Sequence, residues 1–153
     1  MNEPTHDGDA GDAGDELALL VADVYELAGA LRGAGEELAA VAGQTQARWQ
    51  LLSVASTGDA TVSHAARRLG VSRQAVQRVA DLLVKDGLAR YDRNPDHRRS
   101  PHLHLTDRGR DKLAAITEAS RGWRASVAAE LSQAELRRTR KTLADIRDGV
   151  AGA

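Results

Sequence analysis

Cysteine is absent from this chain of 153 residues. That excludes disulfides, a thiolate metal site and a thiol-based redox switch. Phenylalanine is absent too, and only two Trp and two Tyr supply aromatic bulk. A core must therefore be built from Leu, Val, Ala and Ile. No apolar run approaches the roughly 18 residues that cross a bilayer. The N-terminus is acidic, not basic, and does not read as a signal peptide. The expectation is a cytoplasmic protein with no membrane partner.

Catalytic signatures are missing as well. There is no Ser-His-Asp set, no phosphate loop and no His-Glu-x-x-His. Glu36 and Glu37 are adjacent, so on a helix they face different ways and form no acid/base pair. His102 and His104 share one face of a strand and could bind a metal, with Asp96 as a further carboxylate. Two histidines without a third nearby ligand are weak evidence for a site. The sequence therefore points to no enzyme, no cofactor and no metal.

What the chain does have is charge of both signs, unevenly placed. Residues 1–16 carry Glu3, Asp7, Asp9, Asp12, Asp15 and Glu16 and no Lys or Arg. Residues 64–112 hold twelve Lys or Arg against six Asp, a balance of +6. A basic middle segment behind an acidic tail points to a polyanionic partner.

Residues 1–14 are mostly Gly, Asp and Ala and read as a disordered acidic tail. From Asp15 a helix is expected, with a stripe of Leu17, Leu20, Val21, Val24, Leu27, Ala28 and Leu31. Gly33 and Gly35 interrupt it. Glu36–Ala42 then reads as a second helical piece, ended by Gly43. Thr45 caps a helix carrying Trp49, Leu51, Leu52, Val54 and Ala55. Thr61 caps a short helix over Val62–Leu69, and Gly70 suits a left-handed helix end.

Ser72 starts the next helix, in which Val76, Val79, Leu82 and Leu83 recur as one apolar face. Arg73, Gln74, Gln77 and Arg78 lie off that face, within the first two turns. Arg and Gln are the side chains that make paired hydrogen bonds to guanine and adenine edges. Small Ala66, the turn at Gly70 and the inward Val76 together meet the steric needs of a helix-turn-helix. Leu88–Tyr91 and His102–Leu105 then read as two strands of a hairpin, the second by its period-two alternation. Asp92–Pro101 is the polar turn between them, and a hairpin in this place is a wing. Its tip is basic, with Arg93, His97, Arg98 and Arg99. Thr106 caps a long helix bearing Leu113, Ile116, Trp123, Val127 and Leu131. Ser132-Gln133-Ala134-Glu135 is a capping box before a last helix with Leu136, Leu143, Ile146 and Val150. The terminal apolar stripes need a partner surface, and the economical one is a second copy of the chain.

Over about residues 17–150 the sequence resembles the MarR family of winged-helix transcriptional regulators. The likeness rests on Ala47-Arg48-Trp49-Gln50-Leu51-Leu52, Leu69-Gly70-Val71-Ser72-Arg73, Val76-Gln77-Arg78 and Asp86-Gly87-Leu88. Most specific are the wing Asn94-Pro95-Asp96-His97-Arg98-Arg99-Ser100 and the closing Leu105-Thr106-Asp107-Arg108-Gly109. The resemblance implies a mainly α fold with a small β-wing and an obligate dimer of intertwined N- and C-terminal helices. Residues 15–43 would form the N-terminal dimerisation region, 44–106 the winged helix-turn-helix and 107–153 the C-terminal dimerisation helices. It also implies a regulator of double-stranded DNA, often a repressor, often released by a small ligand held between the dimer helices and the winged domain.

Expected DNA contacts are therefore Ser72, Arg73, Gln74, Gln77 and Arg78 on the recognition helix, and Arg93, Asp96, His97, Arg98, Arg99 and Ser100 on the wing. Arg98 would enter a minor groove, pre-oriented by Asp96, on a near-palindromic operator. Tyr25 and Trp49 are the expected lining of an effector pocket. The alternative is a winged-helix interaction module whose basic face binds an acidic protein.

Overall fold

The computed structural model describes residues 8–58 and 60–152. Its elements are α1 (Gly8–Ala40), α2 (Gln46–Ala55), α3 (Val62–Leu69), α4 (Arg73–Lys85), β1 (Ala89–Asp92), β2 (His102–Leu105), α5 (Asp107–Val127) and α6 (Gln133–Gly152). The architecture is mainly helical with one two-stranded antiparallel sheet, as the sequence led us to expect. The chain forms two compact units, one through Ile116 and one from Thr117 onward, and the boundary falls within α5.

In the first unit α1 is longer than its apolar stripe suggests. It starts at Gly8, so residues 8–14 of the expected tail are helical, while residues 1–7 lie outside the described residues. Nor do Gly33 and Gly35 break it. A Cβ on Gly35 would lie 2.6 Å from Cγ of Gln46, so this glycine admits the start of α2 beside α1. Glu36 supports the same junction by accepting from the Gln46 backbone N–H at 3.1 Å. The chain turns at Gly43, whose φ of 67° is the left-handed conformation open to glycine.

The core of this unit joins α2, α3, α4 and the hairpin. Leu51, Leu52, Val54, Val76, Ala80, Leu83, Leu88, Leu103 and Leu105 are buried in one cluster. Leu82 is not among them. It is 46% exposed, and small Ala80 takes the inward place that Leu82 was expected to fill. The buried face of α4 thus runs 76, 80, 83, stepping by four and three as a helix requires. A second small cluster brings Ala39, Ala42 and Ile116 against Trp49.

The strands pair in register, Ala89 with Leu105 through Asp92 with His102, one residue later on β1 than the hydropathy pattern indicates. Thr61 bridges to His102, and Leu103 donates to the Ala60 carbonyl at 2.7 Å, tying the entry of α3 to the hairpin. Leu-Thr-x-x-Gly also has a physical meaning here. Thr106 donates its hydroxyl proton to the Gly87 carbonyl at 2.7 Å and accepts from the Gly109 N–H at 3.1 Å. A Cβ on Gly109 would sit 1.9 Å from the Leu88 carbonyl oxygen. Asp86-Gly87-Leu88 and Leu105–Gly109 are thus two halves of one junction.

In the second unit the capping box forms as expected. The Ser132 N–H donates to Glu135 at 2.8 Å and the Glu135 N–H donates to the Ser132 hydroxyl at 3.2 Å. Hydrogen bonds from the Ser132 hydroxyl and then from its backbone N–H hold the Glu135 carboxyl below its usual range. No described residue of α6 is buried.

Candidate nucleic-acid interface

Local sequence builds the turn. The Thr61 hydroxyl accepts from the His64 N–H at 3.2 Å to start α3. Gly70, at φ 66° and ψ 31°, ends that helix in the left-handed conformation. Ser72 then accepts from the Ala75 N–H at 3.1 Å and starts α4. Ser72 is therefore occupied as a cap, and its carbonyl accepts from the Val76 N–H at 3.2 Å.

Two lines of polar side chains run along α4, each with the four-residue helical step. Gln74 and Arg78 point out and are exposed. Arg73 and Gln77 are turned toward the wing. Arg73 lines a groove of about 450 Å³ together with Ser63, Asp96, His97, Arg98, Arg99 and Ser100. The fold thus brings the start of the recognition helix and the wing tip to one concavity.

Gln77 is half-buried, and its amide nitrogen donates to both the Asp81 carboxylate and the Tyr91 hydroxyl, each at 2.8 Å. Tyr91 in turn donates to Asp81 at 2.9 Å. Burial and the Asp81 carboxylate push the Tyr91 hydroxyl up to about 12. This differs from the free Gln77 that residue type alone suggests.

The wing tip is shaped by Asn94, which is buried although it lies in a polar loop. Its amide donates to the Ser100 carbonyl at 2.9 Å, and its oxygen accepts from the N–H groups of Asp96 and His97 at 3.0 and 3.2 Å. Among the described residues Asp96 and Arg98 form no ion pair, and the loop is ordered through Asn94 instead. The clue in the sequence was Asn-Pro, a turn-initiating pair in which Asn bonds the backbone ahead of it. For the Tyr91–Asp81–Gln77 triangle there was no local clue, because Tyr91 follows Asp81 by ten residues across a turn.

The electrostatics of this face are lopsided. Elsewhere among the described residues Arg48, Arg90, Arg110, Arg121, Lys141 and Arg147 each pair with an acid. Arg73, Arg78, Arg93, Arg98 and Arg99 are exposed and have no acidic partner among the described residues. Arg48 clamps the base of α4 by donating to Asp86 and to the Leu82 carbonyl, and it holds the Asp86 carboxyl below its usual range.

Tyr25 and Trp49 do not come together. Tyr25 is 75% exposed on α1, whereas Trp49 packs against Ala39, Ala42 and Ile116. Fourteen residues of helix separate Tyr25 from Ala39, a rise of about 21 Å. Trp49 is partly buried against that small cluster, and this pair does not line one pocket within one chain. His102 and His104 lie edge to face with ring centres 5.9 Å apart, and no three His, Asp or Glu converge among the described residues.

A helix-turn-helix followed by a basic hairpin is the winged helix-turn-helix. The MarR family model matches residues 42–100, which span α2, the turn, α4, β1 and most of the wing loop. Uncharacterized proteins of Mycobacterium tuberculosis and Mycobacterium bovis are 57% identical to the chain over 129 residues, covering 84% of it and 90% of their own length. The crystal structure of a MarR family transcription regulator aligns with a TM-score of 0.78 at 25% identity, over 95% of this chain and 97% of that one. The M. tuberculosis transcriptional regulator MosR, solved in complex with DNA, aligns with a TM-score of 0.71 at 26% identity, over 86% of this chain and 96% of its own. The chain belongs to the MarR family, whose solved neighbours are transcriptional regulators. No described helix is long and apolar enough to cross a membrane.

Proposed function

We propose that the protein is a homodimeric, sequence-specific DNA-binding repressor that a small ligand relieves. The observation that carries the DNA reading is the set of exposed arginines without acidic partners on α4 and the wing, three of which, Arg73, Arg98 and Arg99, line one groove. Unpaired cations on a concave face suit phosphates, whose neutralisation releases counterions. Arg73, Arg93 and Arg99 contact backbone, Gln74 and Arg78 meet base edges, and Arg98 enters the minor groove. His97 and Ser100 complete the wing contact, and Ser72 offers the helix start.

Dimerisation is supported by what single chains leave uncovered. Leu17, Val21, Val24, Leu27 and Leu31 are exposed along α1, and Leu136, Leu143 and Val150 along α6. A two-fold dimer presents two recognition helices, so operators are near-palindromic with half-sites about one helical turn apart. A ligand relieves repression only by preferring a different separation of those helices.

The test is a mobility shift with the protein's own promoter region, competed by random DNA. Retention against random DNA supports the reading. Loss to any DNA, with capture of an acidic protein instead, favours an interaction module.

A further inference from the structure

The Gln77–Asp81–Tyr91 triangle fixes more than the position of a side chain. An amide nitrogen has two hydrogens. The Gln77 nitrogen donates to both Asp81 and Tyr91. A carboxylate only accepts, so Asp81 must face the nitrogen end of the amide. The Tyr91 proton is committed to the same Asp81 oxygen, which leaves Tyr91 only a lone pair to offer Gln77. Turning the amide over would set its oxygen against two acceptors. The orientation is thus dictated by chemistry, and the one polar atom of Gln77 left free is Oε1, an acceptor.

We infer that Tyr91 and Asp81 act as positioning residues that make Gln77 a reader of amino groups in the major groove. This rests on the DNA-binding reading above. A free glutamine recognises adenine with two bonds, donating to N7 and accepting from N6. With its nitrogen held by Asp81 and Tyr91, Gln77 offers the groove its oxygen and not an N–H for N7. It accepts from adenine N6 or cytosine N4 and treats the two alike. Guanine O6 and thymine O4 are acceptors, and each would meet Oε1 lone pair to lone pair. One operator position therefore selects adenine or cytosine over guanine or thymine, a pattern that an unconstrained glutamine does not produce.

The test begins with selection of binding sites from a randomised DNA pool by the full chain. Gln77→Ala, carried through the same selection, marks the position that loses its preference. At that position the parent is expected to bind the adenine and cytosine forms within about twofold, and the guanine and thymine forms about tenfold more weakly, the usual scale of one mismatched pair. Asp81→Ala leaves Tyr91 alone to hold the amide, and a hydroxyl donates or accepts. Discrimination against guanine and thymine should then fall to about twofold. Tyr91→Phe keeps the amide oriented by Asp81 but frees one hydrogen for N7, so adenine should gain about tenfold over cytosine. A purely structural role would lower affinity equally for all four forms. Asp81 is exposed, so its variant keeps the test open if Tyr91→Phe fails to fold. The inference is overturned if the parent accepts adenine alone at the marked position, if Gln77→Ala changes no position, or if Asp81→Ala leaves the preference intact. DNA binding would stand in each of those cases. A parent that selects no sequence at all overturns both readings.

Discussion

Asn94 carries no charge, yet the wing depends on it. Its three hydrogen bonds close the loop that presents Arg98 and Arg99. Asn94→Ala should cost about 1–2 kcal/mol of stability, the scale of a few lost neutral hydrogen bonds. It should also weaken DNA binding without changing net charge. Thermal unfolding and a DNA titration measure the two, and unaltered affinity would show that wing shape is irrelevant. Tyr91 makes a second prediction. Its hydroxyl ionises near 12, above the ordinary 10.0, so the fold favours the neutral form. The sign follows: this contribution to stability is whole below about pH 10 and is lost as pH rises through about 12. Tyrosinate absorbance should show a step near 12 that Tyr91→Phe removes.

Between elements, two contacts decide how the winged unit is assembled. At the first, α5 starts against the turn after α4, and Gly109 has no room for a Cβ beside Leu88. Gly109→Ala should destabilise the protein by at least about 3 kcal/mol, because backbone rather than a yielding side chain blocks the new methyl. A denaturant midpoint near that of the parent would refute this. At the second, Arg48 of α2 holds Asp86 at the end of α4. The Asp86 carboxyl lies below its usual 3.8 in the folded chain, chiefly through the Arg48 hydrogen bond. A depressed folded pKa means stabilisation that is complete above about 3.8 and lost as pH falls through the folded value. Asp86→Asn should therefore flatten the fall of stability with acid in that window. An acid unfolding curve of unchanged slope would argue that the pair is idle.

For the whole molecule, the open question is what covers the apolar stripes of α1 and α6. Leu143 is 38% exposed and Ile146 half-buried, although both sit on the apolar stripe of α6. We expect a homodimer, in which Leu143→Asp or Ile146→Asp gives monomer or unfolded protein by placing an unpaired charge in an apolar seam. Light scattering decides it. A well-folded, concentration-independent monomer from the unmodified chain would refute the dimer.

Much of the local structure in both units was legible in local pattern. The caps Thr45, Thr61 and Ser72, the left-handed Gly70, the capping box at Ser132 and the alternation of His102–Leu105 all act within a few residues. Short-range sterics and hydrogen bonds therefore determine them wherever they occur. Tertiary structure decided the rest. Gly33 and Gly35 looked like breaks, but packing of α2 against α1 turned Gly35 into a close approach. Leu82 looked inward by type, but packing buries Val76, Ala80 and Leu83 on α4 and leaves Leu82 46% exposed. Trp49 looked like a partner of Tyr25 and instead packs, partly buried, against Ala39 and Ile116. Gln77 looked like a free reader of bases until Tyr91 arrived from the hairpin. In each case the deciding partner lies on another element, where no periodicity or propensity records it, and only the packed chain brings the two together.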